Sequence, residues 1–182
     1  LCGAMGVLVV NFRMAFFSDA ISHSAFTGVA LGIIFGIDPS LTMIGFGLLV
    51  GLGIINVRRG TELSTDTVIG VFFAFVVALG ITIISAKKSL AKNLQTFLFG
   101  DILSISNTDI FLTIALLAVV SIFLYLSYNR LMLIGLNEHL AYAKRIKVRL
   151  FDYLFALVLA LVVTVSIRTV GLLLITALLV VP

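Results

Sequence analysis

One short polar segment, residues 18–24, carries the side chains of this sequence that are best placed to do chemistry. Asp19 and His23 are four residues apart, so on a helix they share one face about one turn apart. A carboxylate oxygen and an imidazole nitrogen can then approach one ion, and this donor pair suits Zn²⁺, Mn²⁺ or Fe²⁺ better than Cu⁺ or Mg²⁺. The neighbouring serines are predicted to orient the two ligands by hydrogen bonding: Ser18, Ser22 and Ser24.

Two protein ligands do not complete a metal site, because a closed structural zinc site needs four. The remaining donors would come from other helices, a second subunit or water, and an incomplete site suits an ion that has to leave again. The spacing is equally compatible with a hydrogen-bonded Asp19–His23 pair near a helix end, with Asp19 as the N-cap. The sequence leaves both interpretations open.

Other metal-ligand candidates are few. Asp101 is a weaker candidate for the translocation path, and an exposed loop aspartate is the alternative. Cys2 is the sole cysteine, which excludes an internal disulfide and a thiolate cluster. His139 is interpreted as a surface histidine.

The composition indicates the environment that surrounds this chain. Hydrophobic residues make up 62% and charged residues 11%, with a mean hydropathy of +1.29, whereas soluble domains are about half apolar and a quarter charged. The chain is therefore expected to lie mostly in lipid. Its net charge of +4 comes from short basic clusters between apolar runs. These are typical of membrane loops, and no basic face for nucleic acid is found.

The apolar runs predict an all-α, polytopic transmembrane bundle. Residues 1–182 are expected to form a single domain of about seven membrane segments, with the first and last cut short by the ends of the chain. A semi-apolar piece between Lys87 and Ser106 is too short to span and suits an interfacial or re-entrant helix. The predicted segments are residues 1–12, 16–36, 41–57, 67–86, 110–128, 153–167 and 169–182.

Loop charges predict the orientation. One set of alternate loops is richer in basic residues and is expected to be cytoplasmic. It carries Arg13, Arg58, Arg59, Arg130, Lys144, Arg145, Lys147 and Arg149, whereas the other set carries Lys87, Lys88, Lys92 and Arg168.

Small residues recur every four positions and predict close helix packing, because membrane helices associate through close backbone approach. The stripe on the second segment consists of Ala20, Ser24, Gly28, Gly32 and Gly36, with Gly47 and Gly51 on the third and Gly70, Ala74 and Ala78 on the fourth.

A short amphipathic helix is predicted at residues 137–145, with Asn137 as N-cap and Glu138 in its first turn. It lies between two membrane segments on the predicted cytoplasmic side. Docking of a cytosolic partner and a solvated loop with basic anchors are both compatible with it.

Four stretches of the chain resemble the permease subunits of ABC importers for zinc, manganese and iron. They follow one another in the family's order over nearly the whole chain: Phe17–Ser24, Leu98–Leu103, Glu138–Ile146 and Val170–Pro182. Family members often have a glycine where this chain has Arg145.

The resemblance implies a multi-pass protein of the bacterial plasma membrane that acts as a homodimer or heterodimer. It implies two cytosolic ATPase subunits and an extracytoplasmic metal-binding protein as partners, with the divalent metal as cargo and no permanently bound cofactor. Asp19 and His23 match the family's membrane-embedded metal-binding pair. The helix that receives the motion of the ATPase corresponds to Glu138, Leu140, Ala141, Tyr142, Lys144 and Arg145.

Two other function classes are alternatives for such a sequence. A secondary transporter would use Asp19 and His23 to relay protons or bind substrate, without an ATPase. An intramembrane metalloprotease would require a His-Glu-x-x-His motif, which the sequence lacks. The sequence also lacks a Gly-x-x-x-x-Gly-Lys-Ser/Thr loop, so ATP would be hydrolysed by another polypeptide and the chain is expected not to be an enzyme.

Overall fold

The computed structural model describes residues 2–86 and 106–180, and the regular structure within these ranges is α-helical. The predicted interfacial helix and Asp101 lie outside the described residues. In chain order the helices are α1 (Cys2–Asn11), α2 (Ala15–Phe35), α3 (Pro39–Gly60), α4 (Thr65–Ala86), α5 (Asn107–Leu136), α6 (Glu138–Ala143), α7 (Val148–Val170) and α8 (Leu172–Val180).

Five of these helices are long and apolar enough to cross a membrane: α2, α3, α4, α5 and α7. They coincide with the second to sixth predicted segments, which confirms the all-α polytopic fold. α5 extends further than predicted, to Leu136. Arg130 lies within this helix, and its guanidinium is 5.5 Å from the ring centroid of Phe151 on α7, in a cation–π contact.

The turn between α2 and α3 follows from its residues. Gly36 ends α2 in the left-handed conformation, with φ of 67°, which glycine adopts without a steric penalty. Asp38 then caps α3, because its side chain accepts a hydrogen bond of 2.7 Å from the Ser40 amide, and Pro39 occupies the first turn. The prediction that Gly36 packs helices is wrong, since it is exposed and no atom lies within 4 Å of the site of a Cβ.

α2 is the most enclosed of the long helices, since 67% of its 18-residue apolar stretch is buried, against 11% for that of α5. It contacts α3, α4, α7 and α8. The predicted glycine contacts explain the closeness of α3. A Cβ on Gly28 would lie 2.7 Å from the Thr42 carbonyl oxygen, and one on Gly32 would lie 3.0 Å from the Cα of Pro39.

Gly47 and Gly51 of α3 lie where α2, α3 and α7 meet. A Cβ on Gly47 would approach Thr164 Cγ2 of α7 to 2.6 Å, and one on Gly51 would approach Ile21 Cδ1 of α2 to 3.3 Å. These two predicted packing positions therefore bring three helices together. The stripe predicted on α4 differs, because it is exposed on the surface of this chain: Gly70, Ala74 and Ala78.

A hydroxyl group connects α2 with α4. Thr27 Oγ1 lies 3.1 Å from the Val76 carbonyl oxygen of α4 and 3.2 Å from the His23 carbonyl oxygen of its own helix. Gly80 leaves room for this hydroxyl, since a Cβ there would lie 2.5 Å from Oγ1. The α2–α4 contact is thus formed by a polar bond in an apolar setting.

Two cavities mark opposite ends of the bundle. One is lined by residues of the predicted cytoplasmic segments, including Arg13, Arg58 and Glu138. The other is lined by Asp38 and Asp109 from the alternate loops, which the charge count places outside. The alternation of loops between two ends therefore follows the predicted topology.

We expect Gly28→Ala to lower the free energy of unfolding by about 1–3 kcal/mol, because the added methyl group would meet backbone atoms of α3. Gly45→Ala is the matched control, since this helical glycine of α3 has nothing within 4 Å of a Cβ. The control should be neutral or stabilised by about 0.5–1 kcal/mol. Denaturant titration of the purified protein in detergent measures both. Equal losses in the two variants would contradict the packing role of Gly28.

Candidate metal site

Asp19 and His23 lie in the first half of α2, where Met14 is the N-cap residue. The alternative in which Asp19 caps the helix is therefore wrong, since the helix begins at Ala15, four residues before the aspartate. Among the described residues no hydrogen bond joins the Asp19 and His23 side chains. The hydrogen-bonded pair is therefore absent from this arrangement, and the metal-ligand interpretation stays a prediction.

Both side chains are half-buried on the side of α2 that faces α4. The ring of His23 meets the ring of Phe73 edge to face, with centroids 5.1 Å apart. Asp19 lines a cavity of about 370 Å³, together with Phe16, Asp66, Ile69, Gly70 and Phe73. This lining is largely apolar apart from Asp19 and Asp66, so a cation entering the cavity would meet these two carboxylates as its main oxygen donors.

Two of the three serines bond to the backbone of their own helix rather than to the candidate ligands. Ser18 Oγ donates to the Ala15 carbonyl at 3.0 Å, and Ser24 Oγ donates to the Ile21 carbonyl at 2.6 Å. Ser22 Oγ is buried and has no hydrogen-bond partner among the described residues. Serine hydroxyls within helices commonly bond to the backbone three or four residues earlier. Ser18 and Ser24 therefore do not orient the two candidate ligands.

Within the described ranges, no group of three or more histidine, cysteine, aspartate or glutamate side chains is close enough to hold a metal ion. Cys2 is a free thiol on α1. Asp19 and His23 can thus supply one carboxylate and one imidazole, and an ion bound there would take further donors from outside this set.

The short helix α6 confirms the predicted cap. Asn137 Oδ1 accepts a hydrogen bond of 3.1 Å from the Leu140 amide, Glu138 is in the first turn, and Ala141 is buried. Lys144 and Arg145 lie beyond the end of this helix, which corrects their predicted helical placement.

Arg145 has a φ of 56°, the left-handed conformation that glycine adopts most easily. Its amide donates to the Tyr142 carbonyl at 2.9 Å and so closes the turn after α6. The glycine that the resemblance implies at this position would adopt this backbone conformation without a steric penalty.

An ion-pair cluster between α3, α6 and α7 was missed by the sequence reasoning. The Arg59 guanidinium contacts the Asp152 carboxylate, and its nitrogens lie 3.5 Å from Glu138 Oε1 and 3.4 Å from Tyr142 Oη. Arg58 Nη1 lies 3.9 Å from the same Asp152 oxygen. The Asp152 side chain is 2% exposed. An aspartate just before a long apolar run was the signal for a buried partner.

The fold and the site together define a multi-pass membrane protein with an ionisable pair in its most enclosed helix. Comparison with protein families then gives a match over residues 1–182 to the ABC 3 transport family, and the chain belongs to that family. The family resemblance and the multi-pass bacterial membrane location predicted from the sequence are confirmed.

Curated relatives cover nearly all of this chain. It is 35% identical to the manganese import system permease protein ScaB of Streptococcus gordonii, over 100% of the chain and 65% of that protein. It is 31% identical to the high-affinity zinc uptake system membrane protein ZnuB of Haemophilus influenzae, over 98% of the chain and 68% of that protein. The chain thus spans 65% and 68% of their lengths.

A solved structure has the same fold. PsaBC from Streptococcus pneumoniae in complex with Fab superposes with a TM-score of 0.78 at 34% sequence identity. The match covers 98% of this chain and 64% of that chain.

We expect Asp152→Ala to destabilise the protein by about 3–5 kcal/mol, because it leaves the largely buried Arg59 guanidinium without its principal counter-charge. Glu138→Gln should cost no more than about 1 kcal/mol, because the Glu138 side chain is 44% exposed and water screens its ion pair. Denaturant unfolding in detergent compares the two. Similar losses of unfolding free energy in the two variants would show that the buried ion pair contributes no more to stability than the exposed one.

Proposed function

We propose that the chain is the membrane-spanning part of a permease subunit in an ATP-driven importer of divalent transition metal ions. Asp19 and His23 contact the ion as it crosses. The observation that carries the proposal is that these two side chains are half-buried on the side of α2 that faces α4, with Asp19 lining the cavity there, in a member of the ABC 3 transport family. Ionisable groups inside a membrane protein commonly line a substrate path.

The cargo is Mn²⁺, Zn²⁺ or Fe²⁺. One relative is named a manganese import permease and another a zinc uptake membrane protein, which supports a transition metal. The chemistry of the donors agrees, because a carboxylate and a neutral imidazole bind all three ions. The ion is the substrate of transport, and no resident cofactor is proposed.

Further donors to the ion come from groups other than this pair, including water or a second permease subunit in a homo- or heterodimer. The cavity at Asp19 supports this, because it is bordered by Phe16, Asp66 and Gly70, which are exposed on the surface of the chain. A ligand group can therefore approach Asp19 without disturbing the packing of α2 on α3. An ion held by few protein ligands is also released more readily.

The energy comes from separate cytosolic ATPase subunits, and the ion is delivered by an extracytoplasmic metal-binding protein. The absence of a nucleotide-binding loop in the sequence supports the first expectation. Helix α6 is the docking element, since Leu140 and Tyr142 are exposed while Ala141 anchors the helix to the bundle. ATP binding moves α6 and changes the side of the membrane to which Asp19 and His23 are open.

We expect Asp19→Ala and His23→Ala to lower metal accumulation by at least about tenfold, because loss of a group that merely orients a ligand already costs about 10- to 100-fold in affinity. The full-length permease is expressed with its ATPase and delivery protein. Cellular manganese, zinc and iron are then measured together by mass spectrometry. Glu62→Ala, which removes an exposed carboxylate from the loop after α3, is the matched control and should transport normally.

Normal accumulation in both variants would make Asp19 and His23 a structural pair and would refute their role. If no metal depends on the permease, the proposed cargo is wrong. Uptake that continues when the ATPase is inactivated would instead identify an ion-coupled carrier.

A further inference from the structure

Arg59 joins three helices at the predicted cytoplasmic end of the bundle. It lies in the last turn of α3 and contacts the Asp152 carboxylate near the start of α7. The same guanidinium reaches Glu138 Oε1 at 3.5 Å and Tyr142 Oη at 3.4 Å, both on α6. A guanidinium presents five donors in a rigid fork, so one arginine can bond to several acceptors at once.

The partners of Arg59 differ in burial. The Asp152 side chain is 2% exposed, whereas that of Glu138 is 44% exposed. The contact with Asp152 therefore fixes α3 to α7 within the protein interior. The contacts with Glu138 and Tyr142 are weaker and lie near the surface, where they can change without unfolding the bundle.

Helix α3 continues this connection to the candidate metal site. Gly51 of α3 lies against Phe17 and Ile21 of α2, with a Cβ placed 3.4 Å from Phe17 Cζ and 3.3 Å from Ile21 Cδ1. Phe17 and Ile21 are fully buried and lie on either side of Asp19 in sequence. A rigid displacement of α3 would therefore carry α2 and the candidate ligands with it.

The backbone connects α6 to the candidate metal site less directly than the Arg59 side chain does. α6 is joined to α5 through Asn137 and to α7 through residues 144–147, which include the left-handed Arg145. The first connection leads to α5, and the second leads to α7, which packs on both α3 and α2. The backbone route to the candidate ligands therefore passes through the turn at Arg145, whereas the side chain of Arg59 reaches α6 directly from α3.

We propose that Arg59 is a positioning residue that transmits displacement of α6 to α3, and through α3 to Asp19 and His23. This inference rests on the proposed function, because it assigns a route for the motion imposed on α6. The three contacts of this guanidinium connect α6 to α3 through side chains, independently of the two loops that flank α6.

The test uses two perturbations that retain the buried charge pair. Arg59→Lys keeps a cation beside Asp152 but loses the fork that reaches α6. The double variant Glu138→Ala with Tyr142→Phe removes both acceptors on α6 and leaves Arg59 and Asp152 intact. Glu62→Gln is the control, since it neutralises an exposed carboxylate on the loop that follows α3.

Full-length permease, ATPase and delivery protein are reconstituted in vesicles and supplied with MnCl₂ or ZnCl₂. Metal uptake and phosphate release are measured in the same vesicles. Both perturbations should lower the metal carried per ATP hydrolysed by about two- to thirtyfold, the range found when residues that couple distant sites are changed. The ATPase should remain bound, and the control should match the wild type.

Wild-type coupling in Arg59→Lys and in the double variant would overturn the inference. Loss of the ATPase from these variants would overturn it as well, because the residues would then serve docking. A second readout needs no transport: amide hydrogen exchange over residues 138–143 of the permease without ATPase should accelerate in Arg59→Lys. If the wild type carries no metal, the proposed function is wrong. Unchanged amide exchange over residues 138–143 in Arg59→Lys would separately refute the link between Arg59 and α6.

Discussion

The close approach of α2, α3 and α7 is the constraint on which the rest of the structure depends. Lipid is as apolar as the side chains of these helices, so hydrophobic burial gives little reason for them to associate. Association depends instead on backbone surfaces that fit, and glycines at positions 28, 32, 47 and 51 provide them. Helix α2 becomes the central element for this reason, and it can hold polar groups away from lipid.

Charge is accommodated in two different ways in this bundle. Asp152 is almost fully buried and is compensated within the chain by Arg59, with Arg58 nearby. Asp19 and His23 are half-buried without a hydrogen bond between them, and Asp19 borders a cavity. The first arrangement suits a structural connection, because breaking it would leave a buried charge unpaired. The second leaves donor atoms available, as a transported cation requires.

Local patterns in the sequence predicted much of the fold. Apolar length located the five long helices, and the Asn137 cap and the Gly28 and Gly32 contacts followed from residue type and spacing. The predictions that failed depend on three-dimensional geometry that residue type and spacing do not specify. Ser18 and Ser24 bond to their own helix, and the role of Gly36 depends on where α2 ends. The contact of Arg59 with Asp152 spans 93 residues, so it depends on the packing of α3 against α7.

Thr27 has one hydroxyl proton and two carbonyl oxygens within hydrogen-bonding distance, one on α4 and one on its own helix. Bonding to Val76 holds α2 and α4 together, while bonding to His23 satisfies the same proton inside α2. An unpaired hydroxyl in an apolar environment is costly, and that cost normally resists the separation of helices joined by a polar bond. Here the proton has a second acceptor one turn away, so α4 can draw back from α2 without leaving the hydroxyl of Thr27 unsatisfied. The α2–α4 interface therefore combines a specific contact with a low free-energy cost of separating the two helices, next to the residues that are proposed to hold the ion.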